Sequence, residues 1–220
     1  SPVILKRLSF SKINLDILKN VIKFGIPFLP AGLLTMVMEL SNRYILEMMK
    51  GVEAVGLFSA GYKLGIFALV LVMGFNMGWT PYFLKRGREV GARIEFAKIA
   101  TLFTGIMGYI SMMVSIWISE IMQFSIFGRT LIGPEFWSCE PVVSAILLGY
   151  FFFGTYVIQL PGIYMREITN WVPVFRILGA MTLFLTSIWL IPTFGFIGAA
   201  YGVVLAFIVM SISIYIKTYR

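Results

Sequence analysis

The sequence predicts an all-α integral membrane protein, and three observations lead to this fold class. Hydrophobic residues make up 59% of the 220 residues and charged residues only 13%, whereas soluble domains are about half apolar and a quarter charged. The apolar residues form runs of about 20, long enough to cross the ~30 Å hydrocarbon core as helices. Most basic residues flank these runs. Because the bilayer core offers no water, the backbone must pair within each run, which favours helices.

The predicted elements follow one another along the chain. A basic cytoplasmic segment, 1–21, comes first, and a short cytoplasmic tail, 218–220, comes last. Between them, residues 22–217 form one six-helix transmembrane lobe, with spans at about 22–47, 54–80, 97–119, 141–161, 172–191 and 196–216. Pro27 and Pro30 predict a kink near the start of the first span, because proline removes a helical hydrogen bond. An uncharged turn, 192–195, joins the last two spans.

Other classes of protein fit these runs less well. Membrane-spanning β-strands would be shorter and would alternate apolar with polar residues. The net charge of +8 would suggest nucleic acid as the partner of a soluble protein, but here the placement of the charges beside the spans is explained by topology. The single cysteine, Cys139, excludes an internal disulfide, and the lack of histidine leaves no zinc-binding set. No cofactor or metal is therefore expected.

The basic residues predict the orientation in the membrane. If the spans alternate, 14 of the 18 basic residues fall on one side, whereas Arg43, Lys50 and Arg129 fall on the other and Lys63 falls inside a span. The fourteen are Lys6, Arg7, Lys12, Lys19, Lys23, Lys85, Arg86, Arg88, Arg93, Lys98, Arg166, Arg176, Lys217 and Arg220. Cytoplasmic loops carry an excess of Lys and Arg, so both ends of the chain are predicted to be cytoplasmic.

Aromatic residues give a second prediction about the spans. All five tryptophans lie near predicted span ends, as expected of a side chain that prefers the membrane interface. They are Trp79, Trp117, Trp137, Trp171 and Trp189. The longest outer connection, 120–140, mixes acidic residues with Phe, Ile and Trp, and we expect it to lie partly along the outer surface.

Ionisable residues in the spans are candidate site residues, because a charge inside the membrane usually faces a protein interior or a watery cavity. Glu39 and Arg43 are four residues apart on one helical face. A local ion pair near the outer interface, with side chains reaching water, is the alternative interpretation for Arg43. Glu39 lies deeper and is the stronger candidate for a cavity group.

Lys63 lies about 13 Å along the second span, at 1.5 Å per residue. It could reach the interface, pair with Glu39, or stand in a cavity that receives an anionic substrate. We favour the cavity, because an ammonium facing lipid would cost several kcal/mol. Asn76, in the same span, either bonds a neighbouring helix or lines the cavity.

Small residues four apart predict close packing of helices. Three such glycine pairs are Gly61 with Gly65, Gly74 with Gly78, and Gly198 with Gly202. No catalytic constellation is visible: there is no histidine, no Ser/His/Asp set and no phosphate-binding loop. The outer carboxylates Glu120, Glu135 and Glu140 are more typical of a solvated surface than of an acid/base pair. We therefore do not expect an enzyme.

Four segments resemble a known family. They are Asn-Arg-Tyr-Ile-Leu at 42–46, Val-Gly-Leu-Phe-Ser-Ala-Gly-Tyr-Lys-Leu at 55–64, Phe-Asn-Met-Gly-Trp-Thr-Pro at 75–81 and Leu-Ile-Pro-Thr-Phe-Gly-Phe-Ile-Gly-Ala-Ala at 190–200. Their order and spacing resemble the C-terminal six-helix lobe of the polysaccharide-transport family, which belongs to the multidrug/oligosaccharidyl-lipid/polysaccharide exporter superfamily. Asn42 departs from the family's usual Asp, and Thr186 and Ser187 stand where the family often has Asn.

The resemblance implies a flippase that moves a lipid-linked oligosaccharide, such as an O-antigen precursor, across the bacterial cytoplasmic membrane. Family members have two lobes, so a lobe like this one would need an N-terminal lobe or a second chain as its partner. The implied central cavity would hold the substrate's pyrophosphate on cations, for which Lys63 and Arg43 are best placed. Glu39, Asn42, Tyr62 and Asn76 are further polar candidates, with Glu39 able to titrate in an ion-coupled cycle.

Three alternatives remain open from the sequence. One is an exporter of drugs or other amphiphiles in the same superfamily, although a cationic cavity argues against cationic drugs. Another is a polytopic glycan polymerase or ligase, which would usually carry a longer outer loop with more Arg or His. The third is a structural membrane subunit.

Overall fold

The computed structural model describes residues 18–19, 22, 24–126, 129–130 and 132–219. Its helices are α1 (Phe28–Gly65), α2 (Phe67–Arg86), α3 (Ala92–Ile116), α4 (Ile118–Gln123), α5 (Glu140–Ile158), α6 (Pro161–Tyr164), α7 (Trp171–Phe194) and α8 (Phe196–Tyr219). Two short antiparallel strands, β1 (Ser125–Ile126) and β2 (Arg129–Thr130), and a 3-10 helix, Pro134–Cys139, lie between α4 and α5. The predicted all-α membrane fold is confirmed. Most of the basic segment 1–21 lies outside the described residues.

A glycine divides the first long helix in two. Five stretches are long and apolar enough to cross a membrane, and the first of them, Phe28–Arg86, has 59 residues, whereas a span needs about 20. Gly51 has φ 83° and ψ 176°, a conformation that is essentially restricted to glycine. It separates 28–50 from 52–65, and 52–65 continues into α2. Counted in this way, the described chain has six spans.

Contacts between distant residues show that the first span and α7 run in the same direction, as expected of the first and fifth of six alternating spans. The Lys50 ammonium donates to the carbonyl of Pro192 at 3.2 Å, so the residues before Gly51 and the α7–α8 turn share one end of the bundle. At the other end, the Thr169 hydroxyl donates to the carbonyl of Phe24 at 3.2 Å. We call the end with Thr169 and the C-terminal residues the terminal end, and the end with Lys50 the far end.

Helix α5 is the centre of the bundle. Most of its residues are buried, and it packs against α1, α2, α3 and α8. Glycines let 52–65 approach it: a Cβ at Gly61 would lie 2.7 Å from that of Val142, and one at Gly65 would lie 2.6 Å from that of Ile146. This pair therefore packs helices together as predicted.

The other two glycine pairs behave differently from each other. Gly198 lies in close contact with the backbone of Leu190. A Cβ at Gly202 would lie 2.8 Å from the Ser187 hydroxyl. This pair closes the α7–α8 contact. Gly74 and Gly78 have open space around them, so this pair does not pack against another helix within the described residues.

Trp79 also departs from its predicted position at a span end. It is only 3% exposed, because α2 continues to Arg86, well past the predicted end near residue 80. Its ring packs edge-on against Phe83 and Phe96 and stacks on Phe75 and Tyr82. Trp79 is therefore a core residue near the terminal end of the bundle.

Candidate functional site

A narrow cleft lies inside the bundle, between α1, α7 and α8. Its polar lining comes from Thr35, Glu39, Asn42, Arg43, Tyr62 and Arg176. The enclosed space is about 40 Å³, which is room for roughly three water molecules. Residues 35–62 and Arg176, which are distant in sequence, thus supply polar groups to one narrow space.

Arg176 occupies the end of the cleft near Thr35. Its terminal Nη1 donates to the Thr35 hydroxyl at 3.0 Å. The guanidinium carbon lies 5.4 Å from the ring centre of Phe153 and 5.5 Å from that of Tyr156, so the charge rests on two aromatic faces, which attract a cation. The Arg176 Nε is buried without a hydrogen-bond partner among the described residues. Its N–H is therefore free to donate to a ligand.

Arg43 occupies the opposite end of the cleft. Its guanidinium carbon lies 5.6 Å from the ring centre of Tyr62. The Tyr62 hydroxyl is in turn 2.6 Å from that of Tyr150, a buried hydrogen bond that links 52–65 to α5. The tyrosine pair therefore fixes the ring on which Arg43 rests.

The two arginines are spread along the cleft and neither is neutralised. Thr35 and Arg43 are eight residues apart on α1, which is about 12 Å along a helix. Across the part of the chain that the structure describes, ion pairs within 4 Å involve only Arg86, with Glu89 and Glu95. A guanidinium away from water interacts more strongly with an anion than in bulk solvent, since the surrounding dielectric is lower. The cleft is therefore suited to an anion.

Glu39 lines the same cleft but is exposed. Its side chain forms none of the predicted pairs, since neither Arg43 nor Lys63 is within ion-pair distance of it in the described structure. One carboxylate thus stands at the cleft beside two guanidiniums, which leaves a net positive charge.

Asn42 is the most buried polar residue of the cleft, at 2% exposure. Its Oδ1 accepts from the Ser187 hydroxyl at 3.1 Å, and its Nδ2 donates to the carbonyl of Ala199 at 3.2 Å. The amide therefore joins α1, α7 and α8 at one point. An aspartate here would keep the acceptor and lose the donor, which gives a local reason for asparagine at this position.

Lys63 and Asn76 lie away from the cleft. Lys63 is exposed and belongs to the outward face of its helix, along with Gly56, Phe67 and Val70. Lys63 does not line the cleft that contains Arg43. Asn76 accepts from the Thr80 hydroxyl at 3.1 Å, a bond within its own helix. A role for either residue with substrate stays a prediction.

Arg176 is the site residue that the sequence analysis missed. It was counted among the charges flanking the link before the fifth span, although it lies inside the predicted span 172–191. In the structure it is five residues into α7 and half-buried. Arg176 lies about 7 Å from the start of α7 at 1.5 Å per residue. This depth inside a predicted span is the feature of the sequence that indicates a site residue.

Comparison with known proteins gives one informative likeness. No family model and no curated protein sequence matches the chain. A solved structure described as an outward-facing conformation of a multidrug resistance MATE family transporter of the MOP superfamily superposes with a TM-score of 0.65 at 20% sequence identity. The match covers 89% of this chain and 44% of that transporter. The fold of this chain is thus similar to that of rather less than half of a MATE family transporter.

Proposed function

We propose that the chain forms one lobe of a membrane transporter, a flippase that moves a polyprenyl-pyrophosphate-linked oligosaccharide for cell-surface polysaccharide synthesis. The observation that carries the proposal is the cleft with Arg43 and Arg176, neither paired with a carboxylate in the described structure. Two guanidiniums make charge-assisted hydrogen bonds to phosphate oxygens, often two at a time. A diphosphate is the anion in such a substrate.

The dimensions of the cleft limit how the substrate could bind. A space of about 40 Å³ is far below the roughly 300–1,000 Å³ of ordinary ligand pockets. We therefore place only the charged group in the cleft, between Arg43 at one end and Arg176 at the other. The sugar and the lipid would lie between this lobe and a second one.

The second lobe is part of the proposal. Repeat-built transporters bind substrates between two halves that rock against each other, and this chain matches 44% of the length of a transporter of similar fold. The other half would be either a preceding part of the same polypeptide or a second copy of this chain. The lobe is proposed to lie in the bacterial cytoplasmic membrane with its terminal end inside.

One observation favours a second candidate, the export of cationic amphiphiles. Glu39 is exposed at the same cleft, and a carboxylate is the group that a cationic drug would need. The similar solved structure is described as a multidrug resistance transporter. Against this candidate, the two arginines outnumber the single carboxylate.

A transport assay on the full-length protein separates the two candidates. The protein is reconstituted into vesicles, and two substrates are compared: a fluorescent polyprenyl-pyrophosphate oligosaccharide and a fluorescent cationic drug. The proposal expects the lipid-linked sugar to change leaflet faster than in protein-free vesicles, and the drug to accumulate no faster. Drug movement with no sugar-lipid movement would establish the second candidate and reject the flippase.

A further inference from the structure

A second and much larger groove lies on the opposite side of α5 from the two-arginine cleft. Its volume is about 640 Å³, within the roughly 300–1,000 Å³ range of ligand pockets. It runs between α3 and α8 with α5 as its floor. Pro141, Ser144, Leu148 and Phe151 of α5 line it, and their spacing places them on one face of the helix.

The other face of α5 supplies residues that contact side chains of the arginine cleft. Tyr150 bonds Tyr62 there, and Phe153 lies under Arg176. Phe207 of α8, which lines the cleft, also packs against Phe153 at 5.1 Å. The core of the bundle therefore separates the groove from the cleft, and an occupant of the groove would not touch Arg43 or Arg176.

The groove is polar at one end and apolar at the other. Three serines, Ser111, Ser115 and Ser144, line the part near the far end of the bundle. Ser111 is five residues before the end of α3, and Ser144 is four residues after the start of α5, so both lie about 6–8 Å below the helix ends. The apolar part continues deeper, to where a Cβ at Gly108 would lie 3.3 Å from the Phe151 ring.

The Ser111 hydroxyl is the strongest sign of a ligand. Ser111 is 9% exposed, and its Oγ is buried without a hydrogen-bond partner among the described residues. Several other hydroxyls in the spans bond back to their own helix, as those of Thr101 and Ser213 do. An unpaired buried hydroxyl costs about 1–3 kcal/mol, so an acceptor supplied from outside the chain would stabilise it.

We propose that this groove binds one diacyl phospholipid of the leaflet at the far end of the bundle. An acyl chain fills the deep apolar part, and the ester carbonyls accept hydrogen bonds from Ser111, Ser115 and Ser144. The depth of the serines fits this occupant, because ester groups lie at the boundary of the ~30 Å hydrocarbon core. The site is separate from the proposed substrate cleft and does not depend on what is transported.

Photolabelling of the full-length protein tests the site. The probe is a diacyl phospholipid with a diazirine in one acyl chain, added to phosphatidylethanolamine vesicles that contain the protein. We expect labels on Met112, Leu148 or Phe151 several-fold above those on Met73 and Met77, which lie on the exposed face of α2. A polyprenyl phosphate with the same reactive group is the second probe.

Variants make the test specific. Ser144→Phe fills the groove and is expected to abolish the labels there, whereas Met73→Phe, on exposed surface, should leave them unchanged. Ser111→Ala keeps the groove open but loses one hydrogen bond, and should weaken labelling roughly two- to tenfold. Three results would overturn the proposal: no labels above those on α2, labels unaffected by Ser144→Phe, or labels from the polyprenyl probe alone.

Discussion

Among single residues, Arg43 and Arg176 matter most to the proposed binding of an anion. Both guanidiniums lie in similar environments. Each guanidinium rests on aromatic faces instead of pairing with a carboxylate in the described structure. Aromatic faces stabilise a cation without neutralising it. An arginine held in this way keeps its charge and hydrogen-bond donors for an anion.

Substitution of Asn42 tests whether its side-chain amide holds α1, α7 and α8 together. Asn42→Ala leaves the Ser187 hydroxyl and the Ala199 carbonyl without their partner, and unsatisfied buried groups cost about 1–3 kcal/mol. We expect a lower melting temperature and a free energy of unfolding reduced by about that amount, measured by titration with denaturing detergent.

The matched control for Asn42 is Ser138→Ala, a substitution at an exposed position in the last turn of the 3-10 helix. It should leave the melting temperature unchanged. A variant Asn42→Ala as stable as the wild type would show that the hydrogen bonds to Ser187 and Ala199 do not hold α1, α7 and α8 together.

The sequence could predict some site residues and not others, for physical reasons. Arg43 was found because a charge inside an apolar run is conspicuous. Arg176 was missed because a charge near a span boundary looks like part of a loop, and only tertiary packing shows that it turns inward over Phe153. The family resemblance groups Lys63 with Arg43 as cavity cations, but the rotation of its helix places Lys63 on an outward face.

At the scale of elements, the glycines decide how closely the helices approach. Gly65→Val should force 52–65 away from Ile146, because even a Cβ would lie 2.6 Å from that side chain. Overpacking of this kind costs about 1–3 kcal/mol. The measurement is the melting temperature of the purified protein, and we expect a clear decrease.

Gly74→Val is the comparison variant, since it makes the same substitution in open space and should change the melting temperature much less. Equal decreases in the two variants would mean that the cost comes from valine in a helix rather than from contact with α5. The account of the α5 contact would then be wrong.

The number, type and first joint of the spans are predictable from the sequence, whereas the exact ends of the spans are not. Runs of apolar residues fix where helices lie, because a bilayer leaves the backbone no other partner. The joint at Gly51, with φ 83°, lies in the gap between the predicted spans 22–47 and 54–80, as expected. The end of α2 was misplaced, since Trp79 was expected at the interface and is buried among other aromatic rings.

On the scale of the whole molecule, alternation of the spans leads to a prediction about orientation. Basic residues are concentrated at the terminal end, which the positive-inside rule places in the cytoplasm. Single cysteines at Arg88 (Arg88→Cys) and Glu135 (Glu135→Cys) would mark the two ends. A membrane-impermeant maleimide applied to spheroplasts should label Glu135→Cys only.

The native thiol provides a low background for this labelling. Cys139 is fully buried, and structural cysteines buried in apolar surroundings are inert toward such reagents. Labelling of Arg88→Cys in place of Glu135→Cys would show that the terminal end faces outward, and the proposed direction of transport would then be reversed.

The measurement that tests the central claim most directly is the initial rate of sugar-lipid flipping by arginine variants of the full-length protein in vesicles. Loss of a hydrogen bond to a charged group costs about 1.5–3 kcal/mol, and 1.4 kcal/mol is about tenfold in rate. Arg43→Gln and Arg176→Gln should therefore each slow flipping about tenfold or more. Arg176→Lys, which keeps the charge, should retain more activity than Arg176→Gln.

Controls in the same assay distinguish the loss of a positive charge at the cleft from the loss of a positive charge elsewhere on the protein. Arg93→Gln, at an exposed position at the start of α3, should flip at the wild-type rate, and Lys63→Ala tests the separate prediction for that lysine. We expect slow flipping by both glutamine variants of Arg43 and Arg176, in protein that is still folded at the assay temperature. Wild-type rates for both variants would contradict this expectation.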